Sequence, residues 1–203
     1  MGKLSWVRRP TCLCCGREIP IESEEYCTDC FKRPRSFDVG MALINYNEAA
    51  SRSMAQIKYN NKREYLDFYS EAMYRKLGTR LLRLKPDVLI PIPIHPDRMK
   101  TRGFNQAYEL AVRLSDFLKI PVNTSILKRT KNTLPQKSLN PSERLKNLEQ
   151  AFSCVPVPPS IKTILLVDDI YTTGSTIEAC AKLLKAQGAK RVCFVTIFIS
   201  SQR

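Results

Sequence analysis

Two adjacent acids stand in front of a run of small hydroxyl residues in the stretch ILLVDDIYTTGSTIEA, residues 164–179. The apolar residues up to Val167 predict a buried strand, so Asp168 and Asp169 come at its carboxyl end, where open parallel sheets bind ligands. Neighbouring carboxylates repel each other, which makes a ligand carrying hydroxyl groups or a cation the expected reason for the pair. The acids therefore predict a site for vicinal sugar hydroxyls, with Mg²⁺ held indirectly through water.

The residues between the acid pair and the next helix complete this pattern. A helix is indicated by the apolar spacing that begins at Ile177, and the N–H groups of its first turn would face an anion. The predicted phosphate loop consists of Thr172, Thr173, Gly174, Ser175 and Thr176. A sugar 5-phosphate with free hydroxyls would suit both the acids and the loop. The plainer alternative is a strand-to-helix turn whose polar side chains only cap the helix.

A second chemical pattern lies near the N-terminus, where four cysteines have the spacing C-x2-C-x11-C-x2-C. Each pair can bring two thiolates to one ion from a tight turn, and two such turns complete a tetrahedral structural zinc site. The predicted ligands are Cys12, Cys15, Cys27 and Cys30. Cys14 is a fifth thiol that could replace one of them. The alternative is a set of reduced or redox-active cysteines without metal.

Strand-like and helix-like segments alternate along the rest of the chain. Strands are predicted at residues 37–47, 87–94, 163–169 and 191–199, and helices at 48–59, 64–84, 105–118 and from Ile177 to Gly188. This order, with nearly continuous apolar strands, predicts an α/β fold with a parallel sheet and helices on both faces. The cysteine-rich start predicts a small module at residues 1–36, before an α/β domain at residues 37–203.

Charge and hydropathy limit the classes of protein that this chain can belong to. The 33 Lys and Arg residues exceed the 19 Asp and Glu residues, and the net charge of +14 favours a polyanionic partner. No apolar run is long enough for a membrane helix, and the first residues lack a secretory signal, so we expect a cytoplasmic protein. The basic stretch from Lys128 to Lys146 predicts a long loop that suits either a nucleic-acid backbone or a lid over a charged ligand.

Several other side chains have two interpretations. His95, the single histidine, could act as a general base, but its position in the turn PIHPD favours a neutral structural residue. Phe104, Asn105 and Gln106 could contact a nucleobase or could form the first turn of a helix. Four tyrosines among basic residues could stack on bases, although their helical spacing favours the core or ordinary surface. These are Tyr59, Tyr65, Tyr69 and Tyr74.

These motifs together resemble a known family. ILLVDDIYTTGSTIEACAKLLKAQGAKRV resembles the phosphoribosyl diphosphate (PRPP) motif of type I phosphoribosyltransferases. VLIPIPIHPDRMKTRGFNQAYELA resembles the pyrophosphate-loop segment of the ComF family of late-competence proteins, and LKRTKNTLPQKSLNPSERLKNLEQAF resembles its flexible loop. With the zinc knuckle and the segment IKYNNKREYL, the resemblance covers nearly the whole chain.

The resemblance implies a role for each matching residue. Asp168 and Asp169 would hold the ribose hydroxyls of PRPP, and the loop from Thr172 to Thr176 would wrap its 5-phosphate. Arg98 and Arg102 would face the pyrophosphate, although a basic pair at the start of a helix is also a common solvated face.

Three functions remain open at this level. The resemblance to ComF proteins implies handling of incoming single-stranded DNA during natural transformation, with DNA-uptake proteins at the inner face of the membrane as partners and a peripheral membrane position. An active phosphoribosyltransferase would instead transfer the phosphoribosyl group of PRPP–Mg²⁺ to a nucleobase or another amine. A PRPP-sensing regulator would do neither. No catalytic residue or acceptor can be named from the sequence.

Overall fold

In a computed structural model of the chain, which describes residues 3–130 and 150–201, strands and helices alternate as the sequence predicts. The strands are β1 (Ser5–Trp6), β2 (Val39–Asn45), β3 (Val88–Pro91), β4 (Leu127–Arg129), β5 (Phe152–Cys154), β6 (Thr163–Tyr171) and β7 (Arg191–Ile199). The helices are α1 (Thr28–Lys32), α2 (Glu48–Asn60), α3 (Tyr65–Arg83), α4 (Pro96–Arg102), α5 (Gln106–Leu118) and α6 (Ser175–Ala186).

Five of the strands form one sheet in the order β1-β2-β7-β6-β3. Strands β2, β7, β6 and β3 are parallel to their neighbours, and the short β1 is antiparallel to β2 at the edge. Strands β3 and β6 pair in a register that runs from Val88 beside Ile164 to Pro91 beside Val167. The predicted parallel sheet is confirmed.

Alternate residues of the central strand β6 enter two different hydrophobic clusters. Ile164 and Leu166 pack with α6 and with the cysteine-rich segment, whereas Leu165 and Val167 pack with α2, α3 and α5. All four side chains are fully buried. Because side chains alternate across a strand, the two clusters lie on opposite faces, and the prediction of helices on both faces is confirmed.

The chain leaves two neighbouring strands toward opposite faces of the sheet. After β3 it continues into α4 and then α5, which packs on one face, and after β6 it continues into α6 on the other face. Such a divergence opens a crevice at the carboxyl ends of the two strands, where α/β proteins bind ligands. The acid pair lies at this point.

The structure differs from the sequence-based expectation in several elements. Strand β6 continues past the acids to Tyr171, because β7 stays paired with it as far as Ile199. The short helix α4 and the two-stranded ribbon of β4 and β5 were not predicted. Lys128 and Arg129 belong to β4, and residues 131–149 of the predicted basic loop lie outside the described residues.

Among the helices that the structure describes, none combines the length and apolarity needed to cross a bilayer.

Candidate functional site

The two acids at the crevice have different partners. A carboxylate oxygen of Asp168, Oδ1, accepts a hydrogen bond from the backbone N–H of Asp169 at 2.8 Å. The carboxylate of Asp169 forms an ion pair with Lys58 near the end of α2, with 2.5 Å between Oδ2 and Nζ. Both partners are largely buried, with 14% of the Asp169 side chain and 20% of the Lys58 side chain exposed. Lys58 therefore ties the second of the two predicted acids to α2.

Burial governs the electrostatics of this pair. It raises the pKa of the Asp168 carboxyl, and the charge of Asp169 raises that pKa further, while Lys58 opposes both effects. Arg129 at the end of β4 lies within electrostatic range: burial and Arg98 lower its pKa, and Asp168 raises it. An ionised Asp168 is thus costly unless hydroxyl donors or a cation approach it. The site is suited to accept hydrogen bonds from adjacent hydroxyls.

The predicted phosphate loop turns sharply at Gly174. This residue has a positive φ of 78° and is the N-cap of the 12-residue helix α6. The hydroxyls of Thr173 and Ser175 are hydrogen-bonded to each other at 2.9 Å, and the cap residue supplies no side-chain hydrogen bond. The N–H groups of the first helical turn have no partners within the helix itself, so they could donate to an anion beside the acid pair.

A close contact explains why this turn needs glycine. A Cβ atom added at Gly174 would lie 2.3 Å from the hydroxyl of Tyr171. Tyr171 cannot move away easily, because it is 2% exposed and its ring stacks on Phe194 at 4.8 Å between centroids. Phe37 packs edge-on against both rings. The loop therefore lies over a rigid aromatic cluster.

The cysteine-rich segment holds the other side of the loop through Arg17. This arginine is 4% exposed and donates from Nη2 to the carbonyl of Thr172 at 3.0 Å. From Nη1 it donates to Asp29 at 2.8 Å, which links the two cysteine pairs. Burial opposes the charge of Arg17, but Asp29 and the neighbouring thiols Cys15 and Cys27 raise its pKa. The Thr172 carbonyl also accepts from the Ser200 hydroxyl at 3.1 Å.

The four predicted zinc ligands come together in one buried cluster. The sulfur atoms of Cys12, Cys15, Cys27 and Cys30 all lie within 4.8 Å of one another. Four buried sulfurs at this separation match the donor set of a tetrahedral structural site. Cys14 is outside this group, and its carbonyl accepts a hydrogen bond from Gly40 on β2 at 2.6 Å.

The basic residues and the RGFNQ segment lie on α4 and at the start of α5. Arg98 is exposed, while Arg102 donates to the side chain of Gln106 at 3.0 Å. Phe104 is buried under the guanidinium of Arg63, 4.3 Å from the ring centroid. Asn105 caps α5 by accepting from the N–H of Ala107 at 3.0 Å.

The single histidine has a structural place. His95 is the N-cap of α4, where its Nδ1 accepts a hydrogen bond from the backbone N–H of Asp97 at 3.2 Å. The same Nδ1 lies 3.2 Å from a carboxylate oxygen of Asp97, so both contacts hold the ring at the start of α4.

Three residues of the site were not singled out from the sequence. Lys58, Arg17 and Arg129 reach the acids or the loop from distant parts of the chain. Lys58 lies in the segment IKYNNKREYL, which is part of the family resemblance. That resemblance could therefore have indicated a role for Lys58. Arg17 follows the first cysteine pair without any spacing that would indicate a contact with a loop 155 residues away.

Comparisons with known proteins agree with this architecture. The phosphoribosyl transferase domain matches residues 58–203. Competence protein F of Haemophilus influenzae is 33% identical over 90% of this chain and 82% of its own length. Competence protein ComFC of Streptococcus pneumoniae is 33% identical over 90% and 85%, respectively. DNA utilization protein YhgH of Escherichia coli O157:H7 is 30% identical over 82% and 74%.

Proposed function

Because this chain belongs to the phosphoribosyl transferase domain family, with relatives named for competence and DNA utilization, we propose that it binds PRPP and handles single-stranded DNA during DNA uptake. The ribose hydroxyls would donate to Asp168 and Asp169. The 5-phosphate would accept from the N–H groups and hydroxyls of Thr172, Thr173, Gly174, Ser175 and Thr176. The pyrophosphate would lie toward Arg98 and Arg102.

The observation that carries this proposal is the meeting of two complementary features in one crevice. The acids at the end of β6 can accept hydrogen bonds, and the first turn of α6, a few residues later, can donate them. Lys58 holds Asp169 in place through their ion pair. A sugar phosphate with vicinal hydroxyls satisfies both halves at once, whereas a helix cap would need only one of them.

The two metals have separate places in the proposal. Zn²⁺ would be held by Cys12, Cys15, Cys27 and Cys30, and it would keep the cysteine-rich segment folded so that Arg17 can reach the loop. Mg²⁺ would arrive with PRPP and reduce the charge of its pyrophosphate near the acid pair. Residues 1–36 would then be a zinc module attached to the domain at residues 37–203.

The excess of basic residues supports the DNA part of the proposal. A net charge of +14 favours a polyanion, and basic side chains that neutralise DNA phosphates would release the counterions condensed on the DNA. We place the protein in the cytoplasm, at the inner face of the membrane where incoming DNA and uptake proteins meet.

A second candidate function is an active phosphoribosyltransferase, which is favoured by the intact acid pair. In such an enzyme the chain would position a nucleobase or another amine against the sugar and stabilise the departing pyrophosphate by charge. Release of pyrophosphate that depends on an added acceptor and on Asp168 would establish this activity. A regulator that only senses PRPP would release none and would not bind DNA.

The proposal is tested by thermal unfolding with PRPP and Mg²⁺. PRPP should raise the unfolding temperature of the zinc-loaded protein in a concentration-dependent way, because the ligand binds only the folded state. The Asp168→Asn/Asp169→Asn variant should lose this shift. A matched control, Glu22→Gln/Asp116→Asn, removes two charges at exposed positions and should keep it. Binding of single-stranded DNA that does not weaken with added salt would count against the DNA part.

A further inference from the structure

A cavity of about 230 Å³ opens between the end of α2 and helix α4. It is lined by Lys58, Tyr59, Arg98, Arg102 and Phe104, among others. Lys58 connects it to the acid pair, because the same side chain forms the ion pair with Asp169. An occupant of the cavity would therefore lie next to the sugar site.

The aromatic wall of this cavity is unusually accessible. Tyr59 is 76% exposed, and the guanidinium of Arg102 lies 5.8 Å from the centroid of its ring. The other tyrosines of the region differ: Tyr69 is buried, and Tyr74 stacks on Phe117 at 5.0 Å. An exposed ring beside a fixed cation is the arrangement on which an unpaired base stacks in proteins that bind single strands.

The charge of the cavity is complementary to a nucleic-acid backbone. Arg98 and Arg102 supply two cationic groups, while the charge of Lys58 is paired with Asp169. Within the described part of the chain no carboxylate lines the cavity. The hydrogen bond from Arg102 to Gln106, 3.0 Å long, orients the guanidinium from the side of α5. Gln106 is itself 2% exposed, so this support is buried.

We propose that this cavity binds an unpaired nucleobase, which stacks on Tyr59 while an adjoining phosphate contacts Arg98 and Arg102. These are the two arginines that the proposed function places near the pyrophosphate of PRPP, so the two ligands would compete for them. The inference rests on the proposed function, since it identifies where a base would bind in the same crevice region. The base can belong to single-stranded DNA or to a free nucleotide. Both present the same chemistry, a flat aromatic ring next to a phosphate, and the experiment below separates them.

The test compares two labelled oligonucleotides of equal length by fluorescence anisotropy. One is an oligothymidylate, and the other has the same phosphates but abasic sugars. The wild type should bind the oligothymidylate more tightly than the abasic strand. Tyr59→Ala should lose about 5- to 150-fold in affinity for the oligothymidylate, as expected for one stacked base. Its affinity for the abasic strand should stay unchanged.

Two variants make the comparison specific. Tyr59→Phe keeps the ring and should keep the preference for bases. Tyr65→Ala removes a tyrosine that is 39% exposed and lies outside the cavity, so it should bind both strands like the wild type. Thymidine 5′-monophosphate serves as the free nucleotide, and its binding should weaken in Tyr59→Ala if free nucleotides use the cavity.

The outcomes separate this inference from the proposed function. Equal affinity of the wild type for both strands, or an unchanged preference in Tyr59→Ala, would overturn the stacking site even if PRPP binding is intact. Loss of PRPP binding in Tyr59→Ala with retention in Tyr59→Phe would assign the cavity to PRPP and overturn it as well. If neither strand binds, the DNA part of the proposed function fails, and the inference stands only if the monophosphate binds through Tyr59.

Discussion

Arg17 offers a direct test of whether the cysteine-rich segment supports the phosphate loop. Arg17→Met would keep the packing of the aliphatic stem and remove both hydrogen bonds of the guanidinium, to Thr172 and to Asp29. A hydrogen bond from a charged donor contributes about 1.5–3 kcal/mol. Two features reduce the loss: Ser200 still donates to the Thr172 carbonyl, and the buried Nε of Arg17 has no partner among the described residues.

We therefore expect Arg17→Met to lower the free energy of unfolding by about 1–2 kcal/mol. PRPP affinity should fall by about 3- to 10-fold, because part of this energy orders the loop that receives the phosphate. Urea unfolding would measure the first quantity, and calorimetric titration of PRPP with Mg²⁺ would measure the second.

Ser200→Ala is the matched control, since it removes the other donor to the same carbonyl. The Ser200 hydroxyl is neutral and half-buried, so its loss should cost less than that of Arg17. The double variant should be destabilised by more than the sum of the single changes, because the Thr172 carbonyl then loses both donors. Full PRPP affinity in a destabilised Arg17→Met protein would refute the reasoning, because Arg17 would then stabilise the fold without ordering the loop.

Three further predictions concern the loop, the acids and the metal. Gly174→Ala should abolish the PRPP-induced thermal shift, because the Cβ of the new alanine would collide with the Tyr171 hydroxyl. Gly103→Ala is the control: Gly103 has a similar φ of 76° and open space where a Cβ would lie, so this variant should keep the shift. Asp168→Asn should raise the free energy of unfolding by about 1–2 kcal/mol. Because the pKa of Asp168 is raised in the folded protein, the wild type loses stability as pH rises. The stability gained by Asp168→Asn, measured by urea unfolding, should therefore grow from mildly acidic to mildly alkaline pH. A gain that stays constant over this range would contradict the account. Removal of zinc by a chelator should lower the unfolding temperature and weaken PRPP binding. Cys27→Ser should have the same two effects. Cys154→Ser, which lies outside the cysteine cluster, should have neither.

The parts of the molecule that could be predicted from the sequence are those encoded by local patterns. Two residues between paired cysteines indicate a common ion, and the apolar run before Asp168 indicates a buried strand ending in acids. The sequence also predicts a helix at residues 64–84, and α3 lies within these bounds. One face of α3 is buried through Leu66, Tyr69, Met73, Leu77 and Leu81.

The remaining features depend on contacts between distant segments, for which local patterns carry no signal. Lys58 pairs with Asp169, and Arg17 reaches Thr172, across most of the chain. Strand β1 has two residues, and the ribbon of β4 and β5 is joined through a long intervening segment, so neither shows a clear period of its own. Tyr59 and Tyr69 belong to the same pattern of tyrosines, yet one is exposed and the other buried, because only the packing of α2 and α3 decides between them.

The most direct test of the central claim is a calorimetric titration of PRPP with Mg²⁺ into the zinc-loaded protein. The wild type should bind PRPP with saturation at one site. In the Asp168→Asn/Asp169→Asn variant, affinity should fall by at least about 10-fold, because the ribose hydroxyls lose their charged acceptors. Equal affinities of the two proteins, or no binding by the wild type, would contradict the assignment of the acid pair to PRPP.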